Sequence, residues 1–437
     1  MNSFTRYSFT ILHLFLSIMF IISTTSCSDK NIYELSIEQE VLVDTLDLIG
    51  VNFYLETSAS MRGYVNSNVS GNYPLKDLIP FIVTDFDNTF AVESNLYTIS
   101  DKKQKYRYSN AKFFDQLRAG KVFTGKSSKL QNIFADVISA TGNGIVSILI
   151  TDCIPDLGKI NTKTEGSKIT SQLYNHLAGN KSLGVAVFKY SSNFNGTHYF
   201  NRENNNGVPQ TKRPFYNQIL NDRPFYIWVF GEQTLVTKVL SKNIIKTYQA
   251  AHTYNLPLQK VEVGLLKYPK SGKISITPET NTILIKEIEA KRPATFTIGL
   301  DLEEISDLQK NQFLDSLNYR VYPKYMAETI DLMIKDKNRL LLEKLKDKSV
   351  IESSSYTHFI QPTLYDFNLG TEKIYLKNFN KEAEWINNTD LEDDVDISKS
   401  DLENKTFGFQ FITKAFSRAF PAENESFQLT LTKQEKR

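Results

Sequence analysis

Two stretches constrain this chain more than anything else in it. Leu48-Ile49-Gly50-Val51-Asn52-Phe53-Tyr54-Leu55 and Gly144-Ile145-Val146-Ser147-Ile148-Leu149-Ile150 are apolar at nearly every position. An alternating pattern would mark a strand with one wet face. A continuous apolar run of this length marks a strand buried on both faces. Glu56 follows the first run and Thr151-Asp152 the second. Leu75, Leu78, Ile79, Ile82, Val83 and Phe86 then recur at helical spacing. The pattern predicts further helices over 111–117, 130–138, 169–177 and 232–240. It predicts further strands over 95–100, 106–108, 183–190 and 224–230. Buried strands alternating with helices imply a mostly parallel sheet with helices on both faces. Ligands of such sheets sit beyond the carboxyl ends of the strands. A site is therefore expected in the turns after Leu55 and Ile150.

After Tyr254 the pattern changes. Short apolar runs at 261–266, 274–277, 282–286, 295–302, 326–334, 358–365, 373–378 and 426–431 are divided by turn residues. That spacing suggests a β-sandwich. Helical pieces lie at 304–317 and 407–420, the second with Phe407, Phe411, Ile412, Phe416 and Phe420 on one face. The 437 residues thus divide into an α/β region, a Rossmann-like sheet flanked by helices over 47–254, and a β-rich, sandwich-like region with a terminal helix over 255–437.

The first residues read as an address. Arg6 precedes an apolar run from Phe9 to Ile22, and Ser23-Thr24-Thr25-Ser26 leads to Cys27. A basic start, a short apolar core and small residues form a secretory signal. The core is about fourteen residues, short of the roughly twenty that span a bilayer. Cys27 directly after Ser26 makes the segment resemble a bacterial lipoprotein signal, with Thr24 at the usual aliphatic position. The resemblance implies a signal peptide over 1–26, lipidation of Cys27 and a tether over 27–46 that ends near a first strand. The chain would then sit at the outer membrane of a Gram-negative cell, periplasmic or surface-exposed, held by its acyl chains.

Composition narrows the partners. Lys+Arg number 51 and Asp+Glu 49, a formal net charge of +2. No nucleic acid is expected, because phosphate binding needs concentrated positive charge. Two cysteines cannot build a disulfide framework, and five histidines without a pair at ligand spacing argue against a zinc enzyme.

The first turn reads Glu56-Thr57-Ser58-Ala59-Ser60-Met61-Arg62-Gly63. With the preceding strand it resembles the von Willebrand factor type A domain, in which an acidic residue and two serines follow the first strand. The resemblance implies a metal-ion-dependent adhesion site of oxygen ligands, the kind that Mg²⁺ or another hard divalent cation prefers. By position, Glu56, Ser58 and Ser60 match the first loop, Asp152 the later aspartate, and Ser128 or Ser127 the second-loop hydroxyl. An open coordination position would accept a carboxylate from a protein partner. Glu56 departs from the family's Asp, Ser from its second-loop Thr, and Cys153 stands where Gly is common. The alternative is a degenerate site, in which Ser58 and Ser60 cap the following helix and Asp152 holds the loop.

Phe81-Ile82-Val83-Thr84-Asp85-Phe86-Asp87-Asn88-Thr89 resembles the signature of haloacid dehalogenase-type phosphatases. Asp85 would then be the nucleophile and Asp87 the general acid. No Asp pair follows on a later strand of this region, where Gly231-Glu232 is the nearest mimic, and the helical spacing of Leu75 to Phe86 contradicts a strand there. The acidic run Asp390 to Asp396 offers carboxylates to Ca²⁺ but lacks an EF-hand's glycine and spacing, so a solvated loop is the plainer reading. Residues 193–211, rich in Asn and Gly, read as a long mobile loop. It carries Phe194, Tyr199 and Phe200, which pack down or face a partner. No nucleophile–base pair stands out, so no reaction class follows. The expectation is a lipid-anchored binding or assembly protein, with a phosphatase or a structural subunit without metal as alternatives.

Overall fold

The computed structural model describes residues 31–38, 46–66, 74–107, 109–125, 128–157, 162–198, 218–256, 261–288, 291–303, 305–314, 318–322, 333–336, 351, 353–364, 373–379, 382–392, 398–421 and 425–434. The signal and Cys27 lie outside the described residues. Among the described residues, no helix is long and apolar enough to cross a membrane.

The chain is mixed α/β with several sheets. Strand β1 is Ile32–Glu38 and β2 is Gly50–Glu56. Helix α1, Leu75–Phe90, leads to β3, Ser94–Ile99, and β4, Lys103–Lys105. Helices α2, Asn110–Arg118, and α3, Leu130–Ser139, precede β5, Ile145–Thr151. Helix α4, Thr162–Leu177, is followed by β6, Leu183–Gly196, and β7, Gln218–Glu232. Helix α5, Gln233–Ser241, and β8, Ala250–Tyr254, complete this region. Its seven-stranded sheet has the order β4-β3-β2-β5-β7-β6-β8.

The apolar runs behave as their pattern requires. Every residue of β2 is buried. Val51, Phe53 and Leu55 face a core built with α1, α2 and α5, while Tyr54 and Leu149 face the opposite core with α3 and α4. The expectation of a mostly parallel sheet needs correction. Parallel pairing is limited to β3 with β2 and β2 with β5; β7 runs antiparallel to both of its neighbours, β5 and β6, and the outer strands β4 and β8 also pair antiparallel. Strands β6 and β7 are consecutive, and a direct return gives antiparallel neighbours, whereas parallel ones need a crossover.

The β-rich region follows. Its strands are β9, Glu262–Ser271; β10, Lys273–Thr277; β11, Thr282–Glu287; β12, Ala294–Asp301; β13, Tyr319–Tyr322; β14, Met333–Asp336; β15, His358–Gln361; β16, Thr363–Leu364; and β17, Lys373–Phe379. Helix α6, Asp307–Leu314, lies after β12. Helix α7, Glu384–Thr389, then β18, Asp390–Leu391, helix α8, Lys399–Asn404, β19, Thr406–Phe407, helix α9, Phe409–Ala419, and β20, Glu425–Lys433, end the chain's described elements. One sheet has the order β10-β11-β1-β20-β17-β13. A second runs β14-β15-β12-β16, with β9 also paired to β12. Tyr33, Leu35, Ile283 and Leu431 of the first share a core with Phe296, Ile298, Leu300 and Ile360 of the second. Two antiparallel sheets sharing one core match the sandwich-like expectation.

Two expected boundaries shift. The stretch taken as a tether contains β1, which lies between β11 and β20 in the six-stranded sheet. Tyr33 and Leu35 alternate with exposed positions and are buried, so β1 is held by its apolar face. The α/β region is therefore inserted between β1 and the rest of the sandwich. The terminal helix, in turn, does not complete the sandwich. Phe409, Ile412 and Phe416 of α9 join Phe134, Trp228 and Tyr254 in the second core of the α/β region. The Phe416 ring lies 4.9 Å from Trp228, and Thr170 donates to the Phe411 carbonyl at 2.8 Å. Of the expected apolar stripe, Ile412, Phe416 and Phe420 join this core, whereas Phe411 packs in a separate cluster with Phe407, which lies in β19. The helix docks against α4, with 241 positions between Thr170 and Phe411, a pairing that spacing cannot reveal.

Candidate functional site

The register of the parallel strands builds the site. Leu55 lies level with Ile150, so Glu56 emerges beside Thr151 and Asp152 at the carboxyl end of the sheet. Glu56 is completely buried, and Ser58 and Asp152 nearly so. After Glu56 the chain leaves β2 and enters a 3₁₀ turn, Met61–Tyr64, whose Met61 and Tyr64 are buried. Those two anchors hold the intervening Ser58-Ala59-Ser60 against the strand ends. The Ser58 and Ser60 hydroxyls lie 3.0 Å apart. Ser60 does not cap the turn that follows it, so the capping alternative is not formed there.

The second loop is pinned by a close approach. Gly125 N–H donates to the Thr57 carbonyl at 3.0 Å. A Cβ at this position would lie 2.8 Å from that carbonyl and 2.7 Å from Ser100, so only glycine fits. This places Ser128, also buried, beside Glu56. Ser127 lies outside the described residues.

The third contribution follows β5. Thr151 Oγ1 donates to Glu56 Oε2 and accepts from Cys153 N–H at 2.9 Å. Asp152 Oδ1 accepts from Ile154 N–H at 3.2 Å. Cys153 has φ +55°, the left-handed conformation that favours glycine. Its thiol is buried and receives the Trp228 indole N–H at 3.3 Å.

Electrostatically the site is under tension. Burial first, and the Asp152 charge second, push Glu56 up to about 7; hydroxyls of Ser128, Thr151 and Ser58 pull it back. Burial also raises Asp152, opposed first by Arg223 and then by Ser60. Two carboxyl groups in one dry place disfavour each other's charge.

Arg223 is the residue that sequence reasoning missed. It lies in β7, just ahead of the predicted strand at 224–230, and is buried. Its guanidinium stacks 4.1 Å from the Phe194 ring centroid and 5.9 Å from that of Tyr64. Arg223 Nη2 lies 3.4 Å from His198 Nδ1, and burial lowers His198 to about 3. The available signal was a lone arginine entering an otherwise apolar strand. Phe194 packs down: it is fully buried in β6, not part of a mobile loop, with its ring 5.2 Å from Tyr64. Tyr199 and Phe200 lie outside the described residues.

The remaining expected residues fall elsewhere. Asp85 and Asp87 lie within α1, not at a strand end, and two residues apart on a helix they do not share a face. The strand-end pair that a phosphatase signature requires is not formed. Asp390 accepts from Gln410 N–H at 2.8 Å at the start of α9, a structural cap; residues 393–396 lie outside the described residues.

Do the residues present fit a divalent cation? Among the described residues no group of three His, Cys, Asp or Glu side chains converges. The donor set is instead two carboxylates and three hydroxyls, all oxygen. Glu56 Oε1, Ser128 Oγ and Asp152 Oδ2 are buried without a hydrogen-bond partner in the protein. Ser58 and Ser128 favour the Glu56 charge, yet neither reaches hydrogen-bond geometry with Oε1. Buried oxygens are ordinarily satisfied, and three orphaned acceptors at one place suit a hard cation. The residues fit. Neither a protein-family model nor a curated protein nor a solved structure matches the chain.

Proposed function

We propose that this chain is a lipid-anchored, extracytoplasmic binding or assembly protein built on a von Willebrand factor type A-like domain. In this reading Glu56, Ser58, Ser60 and Ser128 hold a divalent cation, Mg²⁺ or a similar ion. Asp152 orients a water in its shell, and a protein partner supplies a carboxylate. The cation would supply positive charge in a dry cleft, where it attracts an anion strongly. The observation that carries the reading is the trio of orphaned buried oxygens, Glu56 Oε1, Ser128 Oγ and Asp152 Oδ2. The lipid anchor rests on the sequence around Cys27.

Titration with Mn²⁺, followed by calorimetry and by the electron paramagnetic resonance of free ion, tests the site. One-to-one binding that Ser58→Ala weakens roughly tenfold or more supports it. The same heat with and without that substitution counts against it.

A second reading is favoured by Arg223. A buried guanidinium that already acts on Asp152 would let the site persist as a structural element without metal. Absence of Mn²⁺ binding, with Arg223→Met unfolding the domain, would select this reading.

A further inference from the structure

The chain's charge is unevenly spread. Residues 101–129 carry nine Lys and Arg against two Asp, a net +7 in a chain whose total is only +2. The rest is therefore net −5. This basic stretch is the turn after β3, strand β4, helix α2 and the loop that leads to α3.

The fold brings much of that charge to the strand ends beside Glu56. Thr57 N–H donates to the Ile99 carbonyl at 2.9 Å, and the Thr57 carbonyl accepts from Gly125. The first loop, the end of β3 and the second loop therefore meet at one point. Exposed basic side chains stand within a few positions of it on each segment. Arg62 belongs to the first loop, and its Nε lies 3.9 Å from where a Cβ on Gly120 would stand, next to Lys121. Lys129 directly follows Ser128. Lys102 lies in the turn after β3, where its carbonyl accepts from Ser100 N–H at 3.3 Å. Lys103 and Lys105 pair with Ile99 and Tyr97, so the two share one face of the hairpin.

Among the described residues none of these six forms an ion pair, whereas Arg118 pairs with Asp77 and Asp115, and Lys405 with Asp401. Asp101 and Asp156 on these loops, and Asp136 on α3, are exposed and leave the positive charge in excess. Like charges gathered without partners repel one another. A cleft ringed by one sign of charge also concentrates the opposite sign from solution.

The pattern selects the class of partner. Five of the six are lysines, strongly hydrated point charges without the planar fork that suits phosphate. The net negative charge of the rest of the chain repels a long polyanion running past this face. A short acidic segment meets the basic face alone.

We propose that this face, around the cation site, docks an acidic segment of a partner protein. The proposal rests on the reading of a cation site that accepts a carboxylate. One carboxylate of the segment enters the cation shell, and its neighbours lie against Lys102, Lys103 and Lys105.

Fluorescence anisotropy on the full chain with MgCl₂ tests this. The probe is a fluorescein-labelled peptide that alternates Asp and Gly. Saturable binding is expected, weakened about tenfold or more between about 50 and 300 mM NaCl. Lys102→Glu/Lys103→Glu/Lys105→Glu should also weaken it about tenfold or more. Lys181→Glu/Lys267→Glu/Lys286→Glu alters exposed lysines ahead of β6 and in the sandwich, and changes the net charge equally. It should weaken binding by about twofold at most. Thermal unfolding midpoints check that both triple variants keep the fold. Mn²⁺ titration reports the cation site separately. Peptide binding that EDTA and Ser58→Ala leave unchanged, but the Lys102/Lys103/Lys105 variant loses, overturns the cation's part and upholds the docking face. No peptide binding, or equal weakening by the two triple variants, overturns the docking face even where Mn²⁺ binds one-to-one. So does tighter binding, through the same three lysines, of phosphatidylglycerol vesicles or of single-stranded DNA.

Discussion

The α/β region and the β-rich region bury different kinds of polar group. In the sandwich, the buried polar side chains include Thr297, Gln309, Asn318, Thr363, Gln428 and Thr430, all uncharged. They are used as local ties. Thr297, for example, donates to the Pro269 carbonyl at 2.7 Å and accepts from Gln361 at 2.8 Å. In the α/β region, Glu56, Asp152 and Arg223 are buried. Among the described residues these are the buried Asp, Glu, Lys and Arg side chains, and all lie at one end of one sheet. Burying a charge is costly, and well-packed apolar groups usually serve stability as well or better. The sandwich shows that this chain can close a core without such charges. Their concentration at one set of strand ends is what the proposed cation site requires.

The largest test of that contrast removes the Arg223 guanidinium. Arg223→Ala leaves a void against Phe194 and Tyr64 and strips Asp152 of the positive charge acting on it. A loss of about 3 kcal/mol is expected in urea unfolding. Thr297→Val in the sandwich should cost less, about 1–2 kcal/mol. Equal losses would erase the distinction between the regions.

The pH dependence follows from Glu56. Its carboxyl is raised in the folded protein, from about 4.5 to about 7, by burial and by Asp152. The folded state therefore binds the proton more tightly than the unfolded state. The associated stability is fully present below about pH 4.5 and is lost as pH rises through about 7. Without divalent ions, this group should lower stability by a few kcal/mol between pH 5 and pH 8. Glu56→Gln should flatten that slope, and Mg²⁺ at pH 8 should restore much of the loss in the parent chain. Thermal melts across this range, with and without EDTA, provide the check. A slope unchanged by Glu56→Gln would contradict the assignment.

A smaller effect tests how the first loop is held. A Cβ on Gly63 would come within 2.1 Å of the Phe194 ring. Gly63→Ala should destabilise by about 1–3 kcal/mol and loosen cation binding by shifting the Met61–Tyr64 turn. The smallest stability change is expected for Ser58→Ala, within about 1 kcal/mol, since its hydroxyl bonds mainly to Ser60. Denaturant midpoints of the two variants, measured together, should keep that order.

Much of the site was legible because it depends on local facts. Two unbroken apolar runs define strands, and a polar residue just past each must lie at a strand end. That reasoning points to Glu56 and Asp152 without structure, while Ser58, Ser60 and Ser128 are named only by the resemblance to the von Willebrand factor type A loop. It misses Arg223, which reaches the site from a strand whose antiparallel return is not encoded in hydrophobic spacing. It likewise misses β1, because a short alternating strand has no partner within its own neighbourhood. The helix at Phe409–Ala419 was visible from its apolar face, but not the α/β core that receives it. Periodicity reports that a face is buried; it does not report against what.

The central claim concerns one place, between Glu56, Ser58, Ser60, Ser128 and Asp152. A crystal soaked in Mn²⁺ and measured at the manganese edge tests it most directly. An anomalous peak bounded by the Ser58 and Ser60 hydroxyls and the Asp152 side chain, absent in Ser58→Ala crystals, is the predicted result. No peak there at millimolar Mn²⁺, with Arg223 turned onto the carboxylates instead, would contradict it.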